Sequence, residues 1–404
     1  MALPRRPAEL GPFSLWLSLP QLITWGSVFY TFPLLMGPME ALLGLGRAES
    51  SLAFSLALLA EGASAWLMGR WIDAGHERRV MVWGSVAVGV GLFGLSRMDS
   101  VAGFYAAWLW LGVAMAATLY SPAFAVVTRR FGTDFRRAII ILTFLGGLAS
   151  TVFIPLVSWW IDLWGWRVML VVLALIQWLV CAPLHAWLLQ EAPRPLQPAA
   201  RPAANDAPVR AHLRRAPFWL LTLFMVLVML VTSALPVHMI ELLQEAGLPP
   251  AWVLGIPAAI GVLQVLGRLG LFVFERRWNV HVANRWIPAL LPAGLLVLVL
   301  GGLSPWAAVL FVLLYGPANG LITIVKGTAV AQYVSAAHVG QLNGLMALPT
   351  ALARAAAPWL LGLMWRPDGG YHLGLWWLVS AGVCAVAALW AAQRQALATA
   401  PPQP

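Results

Sequence analysis

Twelve long apolar runs, separated by short polar breaks, constrain this chain most strongly. A helix rises 1.5 Å per residue, so roughly 20 apolar residues cross the hydrocarbon core of a bilayer. Hydrophobic residues make up 61% of the 404 residues and charged residues only 10%, well below the charged share of a soluble domain. The sequence therefore predicts an all-α integral membrane protein with twelve transmembrane helices, at 13–36, 51–69, 80–97, 102–127, 139–161, 167–189, 217–240, 251–274, 286–302, 305–327, 342–364 and 371–393.

The longest polar break is rich in Pro, Ala and Arg and has little to bury. It predicts a flexible cytoplasmic linker at 191–216 between two six-helix halves, at 1–190 and 217–404. A plan of six helices plus six with a long central loop is typical of transporters with two pseudo-symmetric halves and a substrate site near the membrane midplane.

Arginine placement predicts the orientation. With a cytoplasmic N-terminus, most arginines lie inside, and only Arg47, Arg97, Arg167 and Arg366 lie outside. An even number of spans then places both termini in the cytoplasm. The net charge of +10 is thus interpreted as a topology signal, and no nucleic acid is expected as a partner. A composition rich in Ala, Leu and Arg with a single lysine suggests a GC-rich bacterial gene and the inner membrane.

The inner loop between the second and third runs concentrates charge. Gly69 allows two helices to approach closely, and Asp73 is placed to accept hydrogen bonds from a helix N-terminus of the other half. The alternative is an ordinary positive-inside loop. The candidate gating residues are Gly69, Asp73, Gly75, Arg78 and Arg79.

That spacing resembles the loop motif of the major facilitator superfamily, in which the Asp helps to latch the two halves together. The resemblance implies the superfamily's fold, an alternating-access mechanism and a conformational gate at this loop. The position after the Asp is usually basic in the family and is Ala74 here, while Glu77 adds an acid. Both departures predict a weaker latch.

A second block, "YSPAFAVVTRRFGTDFRRAIIILTFLGGLASTVFIPLVSWWIDLWGWR", resembles spans four and five of the monocarboxylate-porter-like branch. In those porters an Asp for proton coupling and an Arg for the substrate carboxylate stand one turn apart in span eight. Arg268 matches the Arg, but Gln264 occupies the Asp position and cannot titrate. Leu34 likewise stands where those porters have a lysine. A proton-coupled lactate mechanism is therefore not implied in full.

Ionisable residues inside a membrane cost roughly 2.5–3.5 kcal/mol and usually mark function; Glu61, Arg268, Lys326 and Arg354 are the candidates here. The two arginines suit a carboxylate or oxyanion. Because spans two and eleven face each other in the superfamily, Glu61 is expected to pair with Arg354 or to take up a proton when substrate displaces it. The alternatives are that Glu61 caps a polar pocket, Arg354 snorkels and Arg268 begins the inner basic rim. Lys326 is expected to anchor that rim.

Spans one, four, seven and ten line the cavity in the superfamily, which makes Tyr30, Tyr120, Asn319 and Thr323 further candidates for substrate contact. For each of them taken alone, packing is the favoured alternative. The expected function is a secondary active transporter of a small organic anion or similar metabolite, coupled to protons. The alternatives are an efflux pump for amphipathic or drug-like compounds or, from another class, a membrane-embedded enzyme or a receptor.

The sequence has no HExxH, GxSxG or GxxxxGK[ST] motif, so no enzyme activity, metal or cofactor is expected. The partners expected are the lipid bilayer, a small-molecule substrate and protons, with the chain acting as a monomer.

Overall fold

The computed structural model describes residues 9–131, 135–190, 209–274, 280–302, 304–335 and 338–399. These residues are organised into α-helices joined by short turns. The helices are α1 Leu10–Thr24, α2 Phe32–Leu43, α3 Arg47–Trp71, α4 Glu77–Arg97, α5 Val101–Thr118, α6 Tyr120–Phe131, α7 Phe135–Gly147, α8 Ala149–Ile176, α9 Ala182–Leu188, α10 Val209–Leu213, α11 Ala216–Glu245, α12 Pro250–Phe274, α13 Val280–Trp286, α14 Leu290–Leu300, α15 Pro305–Tyr333, α16 Val339–Met364 and α17 His372–Thr399.

Nine helical stretches among the described residues are long and apolar enough to cross a membrane. Two of them, Arg47–Arg97 and Arg137–Leu188, contain 51 and 52 residues, enough for two crossings each. Each is broken at a glycine in the left-handed region, Gly75 with φ 89° and Gly165 with φ 77°, which residues with a side chain rarely adopt. These two glycines therefore mark the reversals between paired crossings.

The first crossing consists of α1 and α2, joined through a π-helical segment at Trp25–Phe29. Because of that interruption, neither piece has the length of a full span. The nine long stretches provide eleven crossings, since two of them cross twice, and the interrupted first crossing is the twelfth. The prediction of an all-α twelve-helix membrane protein is confirmed.

The chain divides into two compact units, Met1–Gln197 and Pro198–Pro404, which we call the N-terminal and C-terminal units. In the N-terminal unit α1 packs on α7, α3 on α5, and α4 on both α5 and α8. In the C-terminal unit α11 packs on α16, α12 on α15, and α14 on both α15 and α17. The first crossing of each unit thus packs on the fifth and the second on the fourth, so the two units repeat one arrangement.

The pair formed by the second and fourth crossings has the same close contact in both units. A Cβ added to Gly112 on α5 would lie 2.1 Å from the Ala57 carbonyl oxygen on α3. A Cβ added to Gly320 on α15 would lie 2.2 Å from the Gln264 carbonyl oxygen on α12. Only glycine allows backbones this close, so Ala57 and Gln264 occupy matching positions in the two units.

The predicted linker at 191–216 is described only in its last part, since residues 191–208 lie outside the described ranges. Val209–Leu213 form the short helix α10, in which His212 is buried. Helix α11 begins at Ala216, with Pro217 in its first turn, where the missing N–H of proline costs nothing.

Candidate functional site

Arg268 lies in the interior of the C-terminal unit, on α12. The close contact at Gln264 and Gly320 brings α12 against α15, and Arg268 follows Gln264 by one helical turn. The side chain is 9% exposed, and its Nε donates a hydrogen bond of 3.1 Å to the Gly320 carbonyl. The Thr323 hydroxyl donates to the same carbonyl at 2.8 Å. Arg268 is thereby held against α15.

Lys326 lies on the same helix as Gly320 and is directed toward α11. Its Nζ donates to Met229 Sδ at 3.6 Å, and Met229 lies in the middle of the helix Ala216–Glu245. Arg354 on α16 is near enough for its charge to act on Lys326. The expectation of a rim anchor is therefore wrong for Lys326, because its face of α15 packs toward α11 and α16.

Asn319, Thr323 and Lys326 follow one another at spacings of four and three residues, so they share one face of α15. Asn319 is half-buried and Thr323 is exposed. The Thr323 hydroxyl is already bonded to its own helix, so this residue offers a methyl group and an accepting oxygen rather than an uncommitted donor.

The interior of the C-terminal unit is basic. Three helices contribute a cation each, namely Arg268, Lys326 and Arg354. The acids among the unit's described residues lie elsewhere, Glu241 and Glu245 at the end of α11 and Asp368 after α16. A charge of this sign inside a membrane protein favours an anionic partner.

In the N-terminal unit, Glu61 occupies the position that matches Arg268. It follows Ala57 by one turn of α3 and is 9% exposed. Matching positions of the two units therefore carry opposite charges. No local pattern in the sequence signals this equivalence, which depends on the glycine contacts of the two helix pairs.

Tyr30 and Tyr120 belong to one aromatic row of the N-terminal unit. The Tyr120 ring lies 5.0 Å from Trp25 and stacks on Phe124 at 5.2 Å, measured between centroids. Phe29 bridges Trp25 and Tyr30, at 5.2 and 5.4 Å. Trp25 to Phe29 form the π-helical segment of the first crossing, and such segments occur frequently at functional sites.

A second π-helical segment, Gln177–Cys181, lies against the first crossing. The Gln177 amide donates to Ser27 Oγ at 2.9 Å, and Gln21 donates to the Thr118 carbonyl at 2.6 Å. All of these side chains are fully buried. This polar network escaped the sequence analysis, although glutamines within apolar runs were the available signal.

The gating residues lie around the turn between α3 and α4. Gly69 is near the end of α3, and Asp73 and Gly75 lie in the segment Ile72–His76. Arg78 is exposed and donates from Nε to the Ala186 carbonyl of α9 at 2.9 Å, and Arg79 is exposed. The turn is therefore tied to the sixth crossing of its own unit.

Glu77 makes the ion-pair contacts of this turn, and the sequence analysis did not predict its partners. It has no exposed surface and forms an ion pair with Arg130, while Arg129 Nε lies 3.8 Å from its second oxygen. Arg129 also donates to the Asp73 carbonyl. Arg130 lies 4.9 Å above the Phe13 ring of α1. Glu77 thus binds the turn to the first and fourth crossings, and the adjacent arginines that end the fourth run were the available signal.

Solved structures that share this fold include three transporters. A bacterial homologue of the human lysosomal transporter Spinster is 17% identical, with a TM-score of 0.73 over 99% of this chain and 100% of that one. The nucleoside transporter NupG is 18% identical, with a TM-score of 0.70 over 95% of this chain and 99% of that one. The POT family transporter PepTSo is 13% identical, with a TM-score of 0.73 over 98% and 100%.

The TM-scores show that these proteins share one fold with the chain. Identities this low do not indicate a shared substrate. A search of curated proteins finds no match. The family model of the Major Facilitator Superfamily matches residues 17–358, which is most of the chain. With its twelve crossings and two repeated units, this multi-pass membrane protein belongs to the Major Facilitator Superfamily.

Proposed function

We propose that the chain is a secondary active transporter of a small organic anion, working by alternating access. The charge balance of the membrane interior carries the proposal. Arg268, Lys326 and Arg354 are basic, and Glu61 is the acid at the matching position of the other unit. The charges of these four residues sum to +2, and a net positive charge in the membrane interior favours an anionic ligand.

The chemistry of these cations suits a carboxylate or an oxyanion. A guanidinium presents several donors in a fixed plane, and an ammonium adds a compact charge with three donors. The bond from Arg268 to Gly320 uses Nε and fixes the plane of the guanidinium. An anion bound beside Arg268 and Lys326 would offset part of the roughly 2.5–3.5 kcal/mol that each membrane-embedded charge costs.

For coupling, we propose that Glu61 pairs with Arg354 across the two units in one state and takes up a proton in another. Gln264 is buried but cannot titrate, so Glu61 is the residue through which protons would couple. This differs from the monocarboxylate porters, whose acid would stand at Gln264. We propose that the chain shares with the monocarboxylate-like branch only its substrate class, small organic anions.

For the gate, we propose that Gly69, Asp73, Gly75, Arg78 and Arg79 form the inner latch. The bonds of Arg78, Arg129 and Glu77 hold the turn rigidly on its own unit, which leaves the exposed Asp73 carboxylate for the other unit. We further propose an inner-membrane location, two cytoplasmic termini, a linker at 191–216 and a monomeric transporter, in keeping with the arginine distribution.

The experiment is ligand-induced thermal stabilisation of the purified protein with a panel of small carboxylates, oxyanions and amphipathic cations. We expect a carboxylate or oxyanion to raise the melting temperature of the wild type. Arg268→Ala and Lys326→Gln should each abolish the shift. Arg285→Ala is the matched control, because Arg285 is exposed at the end of α13. A shift that survives in both interior variants would contradict the proposal.

The alternative is efflux of amphipathic compounds, and the aromatic row favours it. Trp25, Tyr30, Tyr120 and Phe124 are half-buried, and such rings bind flat apolar or cationic ligands. In the same panel, a response to amphipathic cations alone, lost in Trp25→Ala and kept in Arg268→Ala, would establish this alternative in place of the anion transporter.

A further inference from the structure

A groove on the outside of the N-terminal unit lies between α3, α4 and α5 and has a volume of about 540 Å³. Its floor consists of small residues, Gly84 and Ala87 on α4 and Ala114 and Ala117 on α5. A Cβ on Gly84 would lie 2.7 Å from that of Ala117, so the helices touch along the floor. The volume is in the usual range for small-molecule sites.

The walls of the groove are apolar and exposed. Trp83 is 69% exposed, Trp110 49% and Val113 41%, and exposed apolar side chains on membrane-crossing helices contact acyl chains. The Trp110 indole donates to the Ala87 carbonyl at 2.7 Å, which fixes that wall. The groove is therefore a built feature of the helix packing.

One end of the groove is positively charged. Arg79 and His76 line it there and are exposed, and Trp71 lies beside them. No acid belongs to the lining found among the described residues, and Glu77 is buried in its ion pair with Arg130. Ala87 follows Arg79 by eight residues, so the groove extends about 12 Å along α4.

We propose that this groove binds one anionic phospholipid, with the phosphate at Arg79 and His76 and an acyl chain against Trp83 and Trp110. The groove has a basic end and apolar walls, and a phospholipid has an anionic headgroup and long apolar chains. This match in charge and polarity identifies the occupant. The proposal does not depend on which substrate is transported. It shares Arg79 with the proposed inner latch, and its test therefore measures lipid binding and not transport.

The test is native mass spectrometry of the purified chain with dioleoyl phosphatidylglycerol and, separately, dioleoyl phosphatidylcholine. We expect one tightly bound phosphatidylglycerol and weaker phosphatidylcholine. Arg79→Gln should lower the preference for phosphatidylglycerol by roughly fivefold, as expected for one basic residue near a lipid headgroup. Arg70→Gln is the control and should change nothing, since Arg70 stacks on Trp66 at 4.6 Å, outside the groove.

Two further experiments distinguish a bound lipid from a free phosphate compound and test the apolar part of the groove. Soluble glycerol phosphate should not displace the lipid, and equal competition would overturn the lipid in favour of a free anion. Ala87→Phe, which fills the groove, should reduce binding of both lipids. Two results would overturn the proposal. One is unchanged lipid binding in Ala87→Phe, and the other is equal binding of the two lipids by the wild type and by Arg79→Gln.

Discussion

Glu77 and the two arginines that end α6 show how single residues hold the inner turn. Replacing one member of a buried ion pair leaves the other charges unpaired and costs about 3–5 kcal/mol. We therefore expect Glu77→Gln to lower the melting temperature clearly and to make the turn at Asp73 accessible to protease.

Glu49→Gln is the control. Glu49 is exposed and only accepts a capping bond of 2.8 Å from the Gly46 amide, so its loss should cost about 1 kcal/mol or less. Equal losses in the two variants would contradict the assigned role of Glu77.

Arg268 provides a second prediction for a single side chain. Lysine keeps the positive charge but loses Nε and the planar fork, so Arg268→Lys loses the bond to the Gly320 carbonyl. We expect at least a roughly tenfold loss of anion affinity, measured by titration of the thermal shift. Lys326→Arg serves as the control, because it preserves charge at a position where the wild-type contact is a sulfur atom. Undiminished affinity in Arg268→Lys would mean that charge alone matters there.

At the level of helices, the contacts at Gly112 and Gly320 set the second and fourth crossings of each unit together. An alanine at either position would overlap a carbonyl oxygen of the partner helix, and overpacking of this kind costs about 1–3 kcal/mol. We expect Gly320→Ala to reduce the melting temperature and the ligand response together, since it moves α15 away from Arg268. Gly255→Ala on α12 is the control, because a Cβ there meets nothing within 4 Å. It should be neutral or stabilising by up to about 1 kcal/mol. A harmless Gly320→Ala would disprove the close contact.

The π-helical segments at Trp25–Phe29 and Gln177–Cys181 are helix features of another kind. Gln177 connects them through its bonds to Ser27 and Thr24. Gln177→Leu leaves the Ser27 hydroxyl bonded only to its own helix and removes the link between the first and sixth crossings. We expect faster hydrogen exchange at Trp25 to Phe29, with little change at α3. Unchanged exchange at both places would show that the segments are held by packing alone.

For the whole molecule, the sequence predicts the twelve crossings well, because apolar length and charged breaks report directly on a bilayer. It could not predict which helices touch, since contacts such as that of Gly320 with Gln264 join distant parts of the chain. For the same reason the sequence favours a rim position for Lys326, whereas its amine lies against Met229. The pairing of Glu77 with Arg130 joins residues 53 apart, so the adjacent arginines at the end of the fourth run are visible in the sequence but do not identify their partner.

Movement of an anion through the assembled protein is the central claim, and counterflow in proteoliposomes tests it most directly. Vesicles loaded with the carboxylate or oxyanion that gives the largest thermal shift would be diluted into a trace of the same labelled anion. We predict transient accumulation of label by the wild type and by Arg285→Ala, and none by Lys326→Gln or by empty vesicles. Label that enters wild-type vesicles no faster than empty ones, while a lipophilic cation exchanges readily, would contradict the account.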